Sequence, residues 1–223
     1  MTRLLVIVEG QTEESFINNV LAPELWQRSV YARAIIIGVP GYKGGRVNYA
    51  RLSKDVLNTL KQDRSSYCST MVDFYGLGDG FPGHPPPHNV ANIEKARQVE
   101  AAVLADIVRL IPAFRPDLRF IPYIQLDEFE GLLFSDAQAM ATGINKANLA
   151  STFQGVRDQF RTPEDIDDGP NTAPSKRIKA ICSYSKVIDG TKAASAVGLP
   201  RMRSECPHFH EWIGKLEALQ EIA

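Results

Sequence analysis

Acidic residues recur along this chain at places where a folded α/β protein could gather them. Glu9 follows the apolar run Leu4-Leu5-Val6-Ile7-Val8, with Glu13 and Glu14 one helical turn later. Asp73 closes Cys68-Ser69-Thr70-Met71-Val72, and Asp127-Glu128-Phe129-Glu130 follows the segment Leu118 to Leu126. Carboxylate oxygens suit hard cations, and Mg²⁺ binds through one or two of them plus substrate phosphates. Gathered carboxylates also repel one another unless a cation neutralises them. A pair of bound Mg²⁺ or Mn²⁺ ions could activate water and stabilise the leaving oxygen in phosphodiester cleavage. Glu9, Asp73 and Glu128 are thus the candidate catalytic residues, and Glu9, Glu13, Asp73, Glu128 and Glu130 the candidate metal ligands. The plainer reading is that Glu9 is a solvated strand end and that Glu13 and Glu14 complement a helix dipole.

Two basic stretches could meet phosphate. Lys43 and Arg46, with Tyr42, lie in the glycine-rich segment Pro40 to Arg46 and could follow a nucleic-acid backbone while the tyrosine stacks a base. Pro174-Ser175-Lys176-Arg177 could open a helix whose positive end holds phosphate. Their plain counterparts are a solvated connection and an ordinary N-cap. Cys206-Pro207-His208-Phe209-His210 falls short of the four ligands of structural zinc. His84 and His88 are separated by prolines, which do not form the helical turn that aligns such a pair. The chain lacks both the glycine–lysine spacing of a P-loop and a Gly-x-Ser-x-Gly elbow.

These side chains need a scaffold. The run Leu4 to Val8 reads as a strand buried on both faces, the pattern of a parallel sheet. Gly10 permits a turn, Thr12 can cap a helix, and Phe16, Ile17, Val20 and Leu21 give that helix an apolar face. Further strands are expected at Tyr31–Val39, Tyr67–Tyr75 and Leu118–Leu126. Helices are expected around Tyr49–Leu60 and from Asn89 to Leu110. Four strands alternating with helices imply a parallel sheet with right-handed crossovers. In an order such as 2-1-3-4, the acids of the first, third and fourth strands would converge where ligands bind in open α/β sheets. From Ser135 onward strand signals fade, and helices are expected at Ala137–Ile144, Lys146–Phe160, Ser175–Tyr184 and His208–Leu219. The division is an α/β domain at 1–134 and a helical extension at 135–223 packed on it.

The 223 residues, 44% hydrophobic and 23% charged, are those of an ordinary globular protein. A net charge of −1 gives no global pull toward nucleic acid or membrane. Three scattered cysteines do not make a disulfide framework, and no apolar run approaches the roughly 20 residues of a membrane span. A cytoplasmic location is the expectation.

Val8-Glu9-Gly10-Gln11-Thr12-Glu13, Met71 to Leu77, Pro122 to Phe134, Ala173 to Arg177 and Cys206 to Phe209 together resemble a bacterial branch of the Toprim-like superfamily. The resemblance runs over nearly the whole chain. It implies a three-layer α/β/α fold with a four-stranded, mainly parallel sheet. It also implies Mg²⁺ chemistry like that of topoisomerases, primases and overcoming-lysogenization-defect nucleases. By position, Glu9 takes the acid/base or metal-ligand role and Asp73 that of the first aspartate of an Asp-x-Asp pair. Tyr75 stands where the second aspartate would be, Asp79 lies too far along the loop, and Glu128 and Glu130 could supply the missing oxygens. The implied partners are nucleic acid and an ATPase, in phage or plasmid defence, with a second copy of the chain as a further candidate. The expected function is a Mg²⁺-dependent nuclease. The alternatives are a non-catalytic nucleic-acid-binding or regulatory module, and hydrolysis of a small phosphoester.

Overall fold

The computed structural model describes residues 1–38, 47–78, 80–87, 89–166 and 172–221. β1 (Thr2–Val8) is the central strand, paired in parallel on both sides. Leu4, Val6, Ile7 and Val8 have no exposure, which is why this strand carries a continuous apolar run rather than an alternating one. The chain turns at Gly10 into α1 (Gln11–Phe16). It continues through a π-helical turn (Ile17–Leu21) into α2 (Ala22–Trp26), then returns as β2 (Val30–Ile36). α3 (Tyr49–Gln62) is capped by Asn48, whose side chain accepts the Ala50 N–H at 2.8 Å. β3 (Ser66–Asp73) pairs in parallel with β1, and α4 (Asn92–Leu110) follows.

The sheet order is β2-β1-β3-β4, with every strand pair parallel. The segment expected as one fourth strand, Leu118–Leu126, is instead the end of α5 (Pro116–Arg119) followed by β4 (Phe120–Ile121) and β5 (Ile124–Gln125). Pro122 has no N–H for the ladder. Side chains of β3 bridge the gap: Ser69 Oγ donates to the Ile121 carbonyl, and Thr70 Oγ1 both donates to the Tyr123 carbonyl and accepts its N–H.

After a run of 3₁₀ turns (Phe129–Ser135) come α6 (Ala137–Gly143), α7 (Ala150–Arg157) and α8 (Pro174–Ile181). α9 (Thr191–Val197), α10 (Leu199–Glu205) and α11 (Pro207–Glu217) follow. α9 and α10 fall between the last two helices expected from sequence. Their short turns, broken by Gly198 at φ 75°, carry too few apolar repeats to show a period.

One face of the sheet carries α3 and α4 over Ile7, Cys68 and Val72. On the other face Leu4, Val6 and Val8 join α1 and the C-terminal helices in one apolar cluster that includes Phe153, Phe209 and Trp212. Trp212 stacks on Tyr123 at 4.2 Å between ring centres, and its Nε1 donates to Ser69 Oγ. The described C-terminal helices, together with α1 and α2, thus cover the second face of the sheet. No described helix is long and apolar enough to cross a membrane.

Candidate functional site

Because β1 and β3 are neighbours in register, with Val8 opposite Met71, Glu9 and Asp73 emerge side by side at the carboxyl edge of the sheet. Gly76 makes that approach possible. A Cβ at this position would meet Glu9 Oε2 at 3.0 Å, Glu9 Oε1 at 3.4 Å and the Asp73 carbonyl at 3.4 Å. Asp73 Oδ1 accepts the Phe129 N–H at 3.0 Å, and the Tyr75 N–H donates to the Asp127 carbonyl at 3.3 Å. These two bonds clamp the turn after β3 to the turn after β5. Asp127 holds φ 59°, a left-handed conformation that aspartate tolerates better than most residues.

Glu13 does not cap its helix from within the first turn as a mere dipole partner. It reaches back, and its Oε2 accepts the Gly10 N–H at 2.9 Å. The N-cap is therefore Gly10 rather than Thr12. Glu13 and Glu130 are almost fully buried.

The electrostatics follow from that burial. Desolvation and the nearby Glu13 carboxylate push Glu9 up to about 7. Desolvation, then Glu13, Glu9 and Glu130, hold Asp73 well above the usual carboxylate range. Glu13 and Glu130 are raised too, chiefly by burial. Glu9 Oε2 is buried without a hydrogen-bond partner.

Glu128 behaves differently. Burial alone would raise it, but the Lys186 ammonium and the Ser175 N–H and hydroxyl outweigh burial and hold it ionised. Its Oε2 accepts the Ser175 N–H at 2.9 Å, and its Oε1 accepts the Ser175 hydroxyl at 3.0 Å. This corrects two expectations. The expected phosphate seat at the start of α8 already holds an internal carboxylate, and Glu128, expected as a catalytic residue and metal ligand, is an anion tethered to Ser175 and Lys186. The N-cap of α8 is Ala173. Lys176 is exposed, and Arg177 is turned back, its Nε on the Thr172 carbonyl and its guanidinium over Phe160. Lys43 and Arg46 lie outside the described residues, as do Tyr42, Asp79 and His88.

Sequence reading missed Lys186. It starts a π-helical turn (Lys186–Gly190), and its Nζ lies 3.2 Å from Glu128 Oε1 and 3.1 Å from Glu130 Oε2. Those two carboxylates overcome the burial that would lower its pKa and hold the ammonium charged. Its charge also acts on Glu9, Glu13 and Asp73. A lone lysine in a turn-rich stretch carries no sequence pattern that could have flagged it.

Cys206 is buried against Ser135 rather than poised for zinc, and His208 Nε2 pairs with Glu100 Oε1 at 2.9 Å. Among the described residues no three His, Cys, Asp or Glu side chains converge as a metal-binding group. Of the five ligands expected from sequence, Glu13, Glu128 and Glu130 already have partners in Gly10, Ser175 and Lys186. What the site does offer is Glu9, with an unpartnered buried oxygen, beside Asp73. That pair fits one hard cation of the kind that completes its shell with water and phosphate.

Fold and site define a class: an α/β protein with a parallel sheet and an acidic pocket at its carboxyl edge, straddled by an internal lysine. The chain belongs to the family described as Domain of unknown function (DUF4276), whose profile matches residues 8–217. No curated protein and no solved structure matches it.

Proposed function

We propose that this chain is a Mg²⁺- or Mn²⁺-dependent phosphodiesterase that cleaves nucleic acid at the pocket between Glu9 and Asp73. The observation that carries the reading is the buried Glu9 Oε2 without a partner, on a strand adjacent to Asp73. Four acids raised by burial and mutual repulsion are a local excess of charge that a divalent ion would relieve. Resemblance to Toprim-like enzymes supports the same pair of residues, and an ATPase partner rests on that resemblance alone.

Glu9 and Asp73 would hold the ion, and Glu13 fixes the Gly10 turn that aims Glu9. When bound, the ion would acidify water and offset phosphate charge. Glu128 and Glu130 act as positioning residues that hold the Lys186 ammonium at the pocket wall, where it can meet a phosphate oxygen. Tyr75, two residues after Asp73, is half exposed. The test is nicking of plasmid and single-stranded substrates with Mg²⁺ or Mn²⁺. Nicking that persists unaltered in Glu9→Gln and Asp73→Asn proteins would discard the reading.

A second reading, a non-catalytic binding or regulatory module, is favoured by Lys186, which already supplies a cation to two of the five acids. Calorimetric Mg²⁺ titration separates the two. The enzyme needs a site that disappears in Glu9→Gln, whereas the module shows none.

A further inference from the structure

At the opposite end of the sheet from the acids lies a cavity of about 400 Å³, lined by Arg64, Tyr67, Phe114, Arg115, Leu118 and Arg119 among others. β3 runs from Ser66 beside this cavity to Asp73, which separates the two sites by roughly 20 Å at strand rise. Its floor is Arg119, only 4% exposed. All five N–H groups of that guanidinium go to main-chain carbonyls, those of Leu60, Asp63, Phe114 and Ser66. Among the described residues no carboxylate is hydrogen-bonded to it, although Asp63 acts on its charge from nearby. The Asp63 side chain is held instead by Arg3 and Ser65.

Two more guanidinium groups stand over this floor. Arg64 lies 4.5 Å above the Phe114 ring and makes no hydrogen bond or ion pair among the described residues. Arg115 holds Asp117 through Nε and Nη2, leaving Nη1 without a bond to a described residue. Asp117 pairs with Arg115, and the Asp63 carboxylate, itself held by Arg3, acts on Arg119 from nearby, so Arg64 is the guanidinium here without an acidic partner among the described residues. The remaining walls are aromatic or aliphatic: Tyr67, Phe114 and Leu118, the last 61% exposed.

A ligand for this cavity needs an anionic head and a flat, apolar body. Arginine forks match phosphate, and aromatic walls stack bases without regard to sequence. The volume lies within the range of small-molecule pockets. We propose that the cavity is a nucleotide-binding site, with phosphate on Arg64 and Arg115 and the base against Tyr67, Phe114 and Leu118. The nucleotide is either free or the phosphorylated end of a strand. The proposal stands apart from the acidic pocket and does not depend on cleavage there.

The experiment is calorimetric titration of the full chain with AMP, adenosine, inorganic phosphate and a 5′-phosphorylated oligonucleotide. AMP should bind saturably, and adenosine and phosphate each about tenfold more weakly or worse. Arg64→Ala and Leu118→Glu, both at exposed positions, should each weaken AMP by about tenfold, while Glu9→Gln should leave AMP affinity unchanged. Arg64-dependent binding of the oligonucleotide tighter than AMP assigns the site to a strand end, and equal or weaker binding assigns it to free nucleotide. Absence of saturable AMP binding at millimolar concentration, undiminished affinity in Arg64→Ala, or phosphate alone matching AMP would overturn it.

Discussion

Lys186 Nζ stands 3.1 Å from Glu130 Oε2, although 56 positions separate the two residues in the chain. The pair joins the π-helical turn before α9 to the 3₁₀ turns after β5, and it places a cation inside an acidic pocket. Removing the lysine leaves Glu130 buried and Glu128 short of one partner. Lys186→Met should destabilise the metal-free protein by about 1–3 kcal/mol, less than a fully buried pair because the lysine is partly open to solvent. Mg²⁺ should then raise the thermal midpoint more in Lys186→Met than in the wild type. Equal midpoints with and without the lysine would remove it from the pocket's charge balance.

Stability should also depend on pH in a defined direction. Glu9 has a folded pKa of about 7 against an ordinary value of 4.5, so between these the folded state binds more protons than the unfolded one. Its contribution is present in full below 4.5 and is lost as pH rises through about 7. Asp73, Glu13 and Glu130 are shifted in the same direction. In chelator, denaturant midpoints should fall from about pH 5 to about pH 7.5, and Glu9→Gln should flatten the slope. A midpoint that climbs across this window contradicts the raised acids.

The same residues link stability and activity with opposite signs. Glu9→Gln and Asp73→Asn remove repulsion and should raise the thermal midpoint of the metal-free chain. Each should also lower Mg²⁺-dependent cleavage by about a hundredfold or more. A stability loss together with retained cleavage would assign both residues a purely structural role.

Gly76 provides a test of geometry alone. A methyl group there meets Glu9 Oε2 at 3.0 Å, closer than ordinary contact. The carboxylate is the side that can give way, so Gly76→Ala should weaken Mg²⁺ binding and leave the melting transition within a few degrees of wild type. Unchanged Mg²⁺ affinity would show that Glu9 does not need its present position.

Away from the pocket, Glu100 Oε1 accepts the Ile124 N–H at 2.8 Å and lies 2.9 Å from His208 Nε2. It ties α4 to β5 and to α11 at once. Glu100→Ala strands both partners and should cost about 3 kcal/mol in chemical denaturation. A loss below about 1 kcal/mol would mean that water replaces the carboxylate.

Much of the fold was legible in local pattern. The apolar run before Glu9 announced a two-sided strand because burial on both faces leaves no polar alternation. The alternation of strands and helices announced the parallel sheet, and 2-1-3-4 was one order compatible with it, the one the tertiary structure adopts. Pro122, which splits the fourth strand, was visible as a residue. Its repair by the Ser69 and Thr70 hydroxyls was not, because those bonds cross more than fifty positions.

The sequence by itself determined which acids end which strands, and hence that Glu9 and Asp73 leave the sheet at the same edge. Only the tertiary structure decided which carboxylates are already satisfied. It tied Glu128 to Ser175, folded Glu13 back on Gly10 and set Lys186 between two glutamates, while Glu9 kept an unpartnered oxygen. The reason is physical. Strand pairing follows from periodic burial that each segment carries within itself, whereas the charge state of a pocket depends on what distant loops bring to it.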